Sequence, residues 1–177
     1  MSKLRLATVW LDGCSGCHMS FLDMDERLLD LASRVDVVYS PIVDYEEFPE
    51  DVDVALVEGS ISSEEDLEKI KQIRARSKVL VSLGDCAVTG NVPAMRNFFS
   101  VADVLRRVYV ENVAIPGPVP DEVVPPLLRS ARPVHEVVQV DVFVPGCPPS
   151  ADTIFTTLTE LVEGRHPNLT GRTRFGA

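Results

Sequence analysis

The sequence contains no apolar run long enough to cross a bilayer, which takes about 20 consecutive residues. Its first apolar run, residues 4–11, is much shorter and lacks the small-residue cleavage site of a secretory signal peptide. Basic residues are also scarce: Lys and Arg number 17 against 27 Asp and Glu, for a net charge of −10, and they form no basic stripe. Because an acidic chain repels phosphate backbones and anionic lipids, we expect no nucleic-acid partner and no membrane. Because no signal peptide is visible, we expect a cytoplasmic protein.

Internal repeats and low-complexity tracts are likewise absent from the 177 residues, of which 45% are apolar and 25% charged. These proportions are typical of one ordinary globular domain. Cysteine is sparse, with four residues in the chain. Since cytoplasmic thiols stay reduced, these four cysteines predict metal binding or redox chemistry rather than a disulfide framework.

Short apolar runs alternate with amphipathic segments along most of the chain. The predicted strands are residues 5–11, 35–39, 54–57, 79–83 and 137–144. The predicted helices are residues 18–32, a helix that begins at a capping box at residues 62–65, and one from Ser150 to Gly164. We expect Trp10, on the first strand, to lie in the core. Strands that alternate with helices indicate a doubly wound α/β domain with a parallel sheet and right-handed crossovers.

A proline-rich segment, residues 88–135, interrupts this alternation before the last strand. It is predicted to be an irregular insertion with one helix near residues 100–109. Long irregular segments in compact domains usually have a function, and we expect this one to contact a partner. The predicted domain covers residues 1–165, and residues 166–177 are predicted to form a polar C-terminal tail.

Every cysteine follows the carboxyl end of a predicted strand. Cys14 and Cys17 come after the first strand, Cys86 after the fourth and Cys147 after the fifth. In an open parallel sheet these ends line one edge, where ligands bind. The spacing therefore predicts that four cysteines from distant parts of the sequence meet at one site.

Three kinds of site are compatible with these residues. An iron–sulfur cluster ranks first, because separate loops can each reach it and because glycines beside the cysteines let the backbone approach its sulfur atoms. Those glycines are Gly13, Gly16, Gly84 and Gly146. A thioredoxin-like dithiol at the Cys-x-x-Cys pair ranks second and leaves the other two cysteines as buried thiols. Structural zinc ranks third, because it usually takes two close cysteine pairs and this chain has one.

Four motifs occur in an order that resembles the small subunits of nickel–iron hydrogenases. They are WLDGCSGCHMS at residues 10–20, VEGS at 57–60, GDCA at 84–87 and PGCPP at 145–149. The GCHMS sequence in the first motif and NVPAMRN at residues 91–97 are most similar to the soluble, bidirectional, NAD-reducing hydrogenases. The resemblance covers about residues 5–163, and four ordered motifs are far more specific than any one of them.

This resemblance implies a flavodoxin-like domain whose proximal [4Fe–4S] cluster is held by Cys14, Cys17, Cys86 and Cys147. It implies an electron-transfer subunit of a hydrogen:NAD⁺ oxidoreductase, with the nickel–iron active site in a separate large subunit and no catalytic residue in this chain. Iron–sulfur and flavin diaphorase subunits, with FMN and NAD, would take the electrons onward. Because the chain has no spare cysteine, we expect a single cluster and the next acceptor in another chain.

The runner-up is the related cluster-bearing subunit of respiratory complex I, the 20 kDa subunit of NADH:ubiquinone oxidoreductase. It shares the PGCPP segment but has two adjacent cysteines in its first motif, where this chain has Cys-x-x-Cys. Many hydrogenase small subunits also have Glu shortly after the second cysteine, where this chain has His18 and Met19. We expect His18 to donate to a cluster sulfur or to face a partner. Glu58 is expected either to make a polar contact near the cluster or to favour the start of the next helix.

Overall fold

The computed structural model describes residues 3–115 and 117–173. Its strands are β1 (Leu4–Trp10), β2 (Val35–Tyr39), β3 (Val52–Glu58), β4 (Ile61–Ser63), β5 (Ser77–Leu83), β6 (Leu127–Arg132) and β7 (Val142–Val144). Its α-helices are α1 (Gly16–Leu22), α2 (Arg27–Ala32), α3 (Glu64–Arg76), α4 (Asp85–Thr89), α5 (Asn91–Ala94), α6 (Val101–Arg106) and α7 (Ala151–Val162). Short 3₁₀ helices lie at Met95–Phe98 and Val134–Glu136, and a π-helical segment at Arg107–Glu111. Within the described ranges, no helix is both long enough and apolar enough to cross a membrane.

Five strands form one parallel sheet in the order β2–β1–β3–β5–β7. When these strands are counted alone, the order is 2-1-3-4-5, which is the order of flavodoxin-like domains. The order reverses between β1 and β3, so the switch point at which such domains bind ligands lies between the ends of these two strands. The predicted doubly wound parallel sheet is therefore confirmed.

Both faces of the sheet are covered by helices. On one face, Phe21 of α1, Leu31 of α2 and Ile154 of α7 pack against buried strand residues. On the other face, Ile70 of α3 and Ala87 of α4 pack in the same way. Burial on both faces explains why the strands are almost continuously apolar, and it makes the sheet a firm support for the loops at its carboxyl edge.

Two predicted helical features are shifted. The helix predicted over residues 18–32 is divided into α1 and α2, and Asp25 adopts a positive φ of 50° between them. The capping box lies one residue later than predicted, with Ser63, the last residue of β4, as the N-cap. The Ser63 hydroxyl accepts a hydrogen bond from the Asp66 N–H at 3.1 Å, and the Asp66 carboxylate accepts one from the Ser63 N–H at 2.9 Å.

Two predictions about apolar residues are wrong. The strand predicted over residues 137–144 forms only at its end, as β7, because the N–H groups of residues 137 and 138 bond back to the carbonyl of Val134 in a turn. Trp10 is not a core residue: it is the last residue of β1, its side chain is 46% exposed, and its Nε1 donates to the Gly13 carbonyl at 3.4 Å.

The proline-rich insertion contains more regular structure than the sequence predicted. The expected helix near residues 100–109 is present as α6 and the π-helical segment that follows it. Strand β6 is an addition, and it pairs antiparallel with β4 beside the main sheet. Its sequence, LLRSAR, lacks the period-two alternation of a half-buried strand, so the pattern gave no signal for it.

The described part of the C-terminal tail lies against the domain. Leu169 packs against the core on the α7 side of the sheet, and the Thr153 hydroxyl donates to the Arg172 carbonyl at 3.3 Å. The predicted tail also includes residues 174–177, which lie outside the described residues. The boundary after residue 165 stays a prediction.

Candidate functional site

The loops that carry the cysteines leave the sheet from one edge. In the strand register, Trp10 at the end of β1 lies beside Glu58 at the end of β3, and Glu58 lies beside Leu83 at the end of β5. Leu83 in turn lies beside Val144 at the end of β7. Each cysteine follows one of these strand ends, and the structure therefore brings the four predicted residues to the same edge.

The four thiols lie close enough to affect one another electrostatically. Burial is the main cause that raises the pKa of the Cys17 thiol well above its usual value, and the Glu58 carboxylate and the other three cysteines add to it. Burial likewise raises the pKa of the Cys86 thiol, with contributions from Cys14, Cys147 and Glu58. Four thiolates at this site would repel one another, so they need positive charge, such as that of iron, to coexist.

The cysteines differ in exposure. Cys17 is buried, Cys86 is half-buried, and Cys14 and Cys147 are exposed. All four are free thiols. The site thus has one side facing the core of the domain and another facing the surface.

Gly84 makes room for the buried cysteine. Its φ is +82°, and a Cβ built on it would lie less than 3.0 Å from the Cys17 Sγ, a distance that real Cβ atoms essentially never show. The backbone conformation therefore favours glycine at this position, and the Cys17 sulfur, where the structure places it, leaves no room for a larger residue. The close approach also brings the backbone of the β5 loop, the segment that follows β5 and contains Gly84, against the Cys17 sulfur.

Hydrogen bonds fix the β5 and β7 loops to each other. The Gly84 N–H donates to the Val144 carbonyl and the Asp85 N–H to the Gly146 carbonyl, both at 2.8 Å. The buried Asp85 carboxylate accepts from the Gly146 N–H at 2.7 Å. These bonds set the distance between the loops of Cys86 and Cys147.

Glu58, which is buried, and His18, which is half-buried, form a pair beside Cys17. Glu58 is 2% exposed, and its Oε2 accepts from the His18 N–H at 2.9 Å and lies 2.5 Å from His18 Nδ1. The Ser15 side chain makes no cap bond at the start of α1. Glu58, at the end of β3, instead supplies an acceptor for a backbone N–H of the first turn. The expectation that Glu58 would favour the helix that follows it is wrong: it serves the first turn of α1. His18 Nε2 is buried and, within the described residues, has no hydrogen-bond partner.

Sequence reasoning missed two donors to the thiols, both from the start of α5. The Asn91 Nδ2 lies 3.5 Å from the Cys147 Sγ, and the Val92 N–H bonds to the Cys86 thiol. Both residues belong to the motif at residues 91–97, whose position in space the sequence does not predict. The sequence offered one signal for such a donor, namely an asparagine that follows shortly after Cys86.

These residues fit an iron–sulfur cluster. Four free thiols stand at one edge, a glycine leaves space at the buried sulfur, donors reach two of the sulfur atoms, and a buried imidazole nitrogen lacks a partner among the described residues. No three His, Cys, Asp or Glu side chains of the described ranges are grouped closely enough to hold a single metal ion.

The chain is similar to hydrogenase subunits of bacteria and archaea. The NAD-reducing hydrogenase HoxS subunit delta of Cupriavidus necator is 45% identical over 170 residues, which cover 92% of this chain and 80% of that protein. A subunit of the vhu hydrogenase of Methanococcus voltae is 43% identical over 170 residues, covering 94% of this chain and 59% of that protein. This chain therefore spans less than two thirds of the length of the archaeal protein.

Comparison with solved structures also shows similarity to a hydrogenase subunit. A crystal structure of a NAD⁺-reducing nickel–iron hydrogenase in the H₂-reduced state contains a chain that superposes with a TM-score of 0.94 at 42% identity, over 98% of this chain and 99% of that one. The profile of the family described as NADH ubiquinone oxidoreductase, 20 Kd subunit, matches residues 14–161. The chain therefore belongs to this family, and within it to the small subunits of NAD-reducing and related nickel–iron hydrogenases.

Proposed function

We propose that this chain is the electron-transfer subunit of a NAD-reducing hydrogenase and holds one proximal [4Fe–4S] cluster on Cys14, Cys17, Cys86 and Cys147. The observation that carries the proposal is the convergence of these four thiols, from three loops, at one edge of the parallel sheet. Its electrons would come from the nickel–iron centre of a large subunit and go to iron–sulfur and flavin subunits with FMN and NAD. The similarity to subunits of NAD-reducing hydrogenases supports this direction. We propose a cytoplasmic location, where the thiols stay reduced.

When bound, the cluster would accept and release one electron at a time. The residues of this chain hold and orient it. Cys17 presents its sulfur from the buried side, next to Gly84, and the bonded β5 and β7 loops fix the positions of Cys86 and Cys147. Glu58 holds the first turn of α1 and so the backbone that follows Cys17.

The first experiment measures iron and acid-labile sulfide in the full chain purified without oxygen. We expect about four of each per chain, a number that follows from the cluster type, and an EPR signal after reduction with dithionite. Cys86→Ala and Cys147→Ala should each abolish the four-iron cluster. If these two variants keep a dithiol–disulfide activity equal to wild type and the wild type contains no iron, the thioredoxin-like alternative replaces the proposal.

The partner surface is proposed to include the insertion, residues 88–135. Several of its large apolar side chains are exposed, although it lies in a domain with a well-packed core. They are Val92, Met95, Phe98, Phe99, Val108, Val110, Ile115, Val123 and Val124. Exposed apolar side chains in such number mark a protein interface, and α5 places the first of them next to the cysteines. We propose that the large subunit covers this side.

The partner proposal is tested by co-purification of nickel with the tagged chain. Phe98→Glu places a charge on a side chain that is 88% exposed, and Leu29→Glu does the same on α2, where the side chain is 75% exposed. We expect Phe98→Glu to lose the nickel-bearing partner and to keep its iron, whereas Leu29→Glu keeps both. Equal nickel recovery with the two variants would assign the interface to another surface.

A further inference from the structure

The insertion reaches the thiols through one turn, at the beginning of α5. Asn91 donates from Nδ2 to the Cys147 Sγ at 3.5 Å. The next residue, Val92, presents its backbone N–H to Cys86, where it opposes the rise in the thiol pKa that burial causes. Two consecutive residues thus donate to sulfur atoms that belong to two different loops of the sheet edge.

The backbone of this turn is built to direct both donors toward the thiols. Gly90 ends α4 with a φ of +85°, and its N–H bonds to the Cys86 carbonyl at 3.0 Å. Asn91 follows with a positive φ of 29°, a region that asparagine enters more readily than most residues. The chain therefore reverses immediately after α4, and α5 begins beside Cys86, which lies in the first turn of α4.

The position of the turn is fixed from its far side by two residues of the 3₁₀ helix that follows α5. Arg96 Nη2 donates to the carbonyls of Ser62 in β4, at 2.9 Å, and Leu128 in β6, at 3.0 Å. Asn97 makes two bonds of 2.8 Å with the backbone of Ala131 in β6. The β4–β6 ribbon thus anchors the segment that carries the donors.

We infer that Asn91 tunes the reduction potential of the bound cluster, by donating a hydrogen bond to the Cys147 ligand sulfur from the same segment that faces the partner. This inference rests on the proposed function, because it needs the cluster. One-electron reduction adds a negative charge that is shared with the ligand sulfur atoms, and a donor stabilises that charge. The donor therefore raises the potential, and its removal lowers it.

The experiment is a redox titration, monitored by EPR, of the full chain purified without oxygen, with dithionite as the reductant. Asn91→Gly removes the donor and suits the positive φ, whereas Asn91→Asp keeps the shape and replaces the donor with a charged acceptor. Asn112→Gly is the matched control, because Asn112 is exposed and ends the π-helical segment of the same insertion. Resonance Raman spectra of the oxidised cluster give a second readout, the iron–sulfur stretching frequencies.

We expect the midpoint potentials to fall in the order wild type, Asn91→Gly, Asn91→Asp, with Asn112→Gly equal to wild type. Going from wild type to Asn91→Gly should lower the equilibrium constant for reduction about tenfold, which corresponds to about 59 mV for one electron. If Asn91→Gly retains fewer irons than wild type, the midpoint potential of Asn91→Asp decides whether the inference holds. Equal potentials in chains with full iron content would overturn the inference and leave the proposed function intact, whereas wild-type protein without iron would overturn the proposed function itself.

Discussion

The contact between Gly84 and Cys17 allows a prediction that separates the fold from cluster binding. An alanine at position 84 would have to adopt the glycine-like φ of +82° and place its Cβ less than 3.0 Å from the Cys17 Sγ. In the protein without a cluster, the sulfur can rotate away from the new methyl group. In the loaded protein it cannot, because a ligand sulfur is held by iron. Gly84→Ala should therefore impair cluster binding more than folding.

The size of the effect follows from two costs. A non-glycine residue in a glycine-only region of φ and ψ costs about 1–3 kcal/mol, and overpacking by a methyl group costs about 1–3 kcal/mol. Their sum, about 2–6 kcal/mol, is a large part of the usual stability of about 5–15 kcal/mol for a domain. The cluster-free chain can avoid most of the second cost, so it should unfold closer to wild type than the loaded chain.

The matched control is Gly164→Ala. Gly164 also has a positive φ, +71°, but a Cβ built there meets no atom within 4 Å. The substitution should therefore carry a backbone cost of about 1–2 kcal/mol and leave the iron content unchanged. Iron content and thermal unfolding are measured for both variants, with and without the cluster. If Gly84→Ala binds as much iron as Gly164→Ala, Cys17 is not a ligand in the orientation that the structure shows, and the reasoning is refuted.

Three further substitutions test other parts of the site. Glu58→Ala leaves the His18 N–H without its acceptor and His18 Nδ1 without its partner, and should lower the free energy of unfolding by about 2–4 kcal/mol in thermal melts; Glu58→Gln should recover part of the loss, and equal losses would contradict this role. Asp85→Ala removes the acceptor of the Gly146 N–H and should cost about 1–3 kcal/mol and reduce iron content, whereas full iron content would show that this bond does not hold the loops. Ser63→Ala breaks the capping box of α3, away from the cysteines, and should cost about 1 kcal/mol with iron unchanged; loss of iron would show that the two regions are coupled.

Most of the main sheet was predictable, because its strands and covering helices follow the local apolar periods. The α7 helix is one example: Ser150 caps it, as predicted, and Gly164 follows it with a positive φ. The sequence pattern did not predict strands correctly where pairing with a distant part of the chain decides whether a strand forms. Strand β6 forms because β4 offers it a partner, and the strand predicted over residues 137–144 is shortened by a turn that is fixed by bonds to Val134.

The sequence by itself determined the α/β class and placed each of the four cysteines after a strand, because both depend on residues that are neighbours along the chain. Only the tertiary structure decided that Glu58 holds His18, that Gly84 faces the Cys17 sulfur and that Asn91 reaches Cys147. These contacts join residues that are 40, 67 and 56 positions apart in the sequence, as Glu58 follows His18, Gly84 follows Cys17 and Cys147 follows Asn91. They depend on strand register and loop direction, and a residue pattern with a period of two or of 3.6 contains neither.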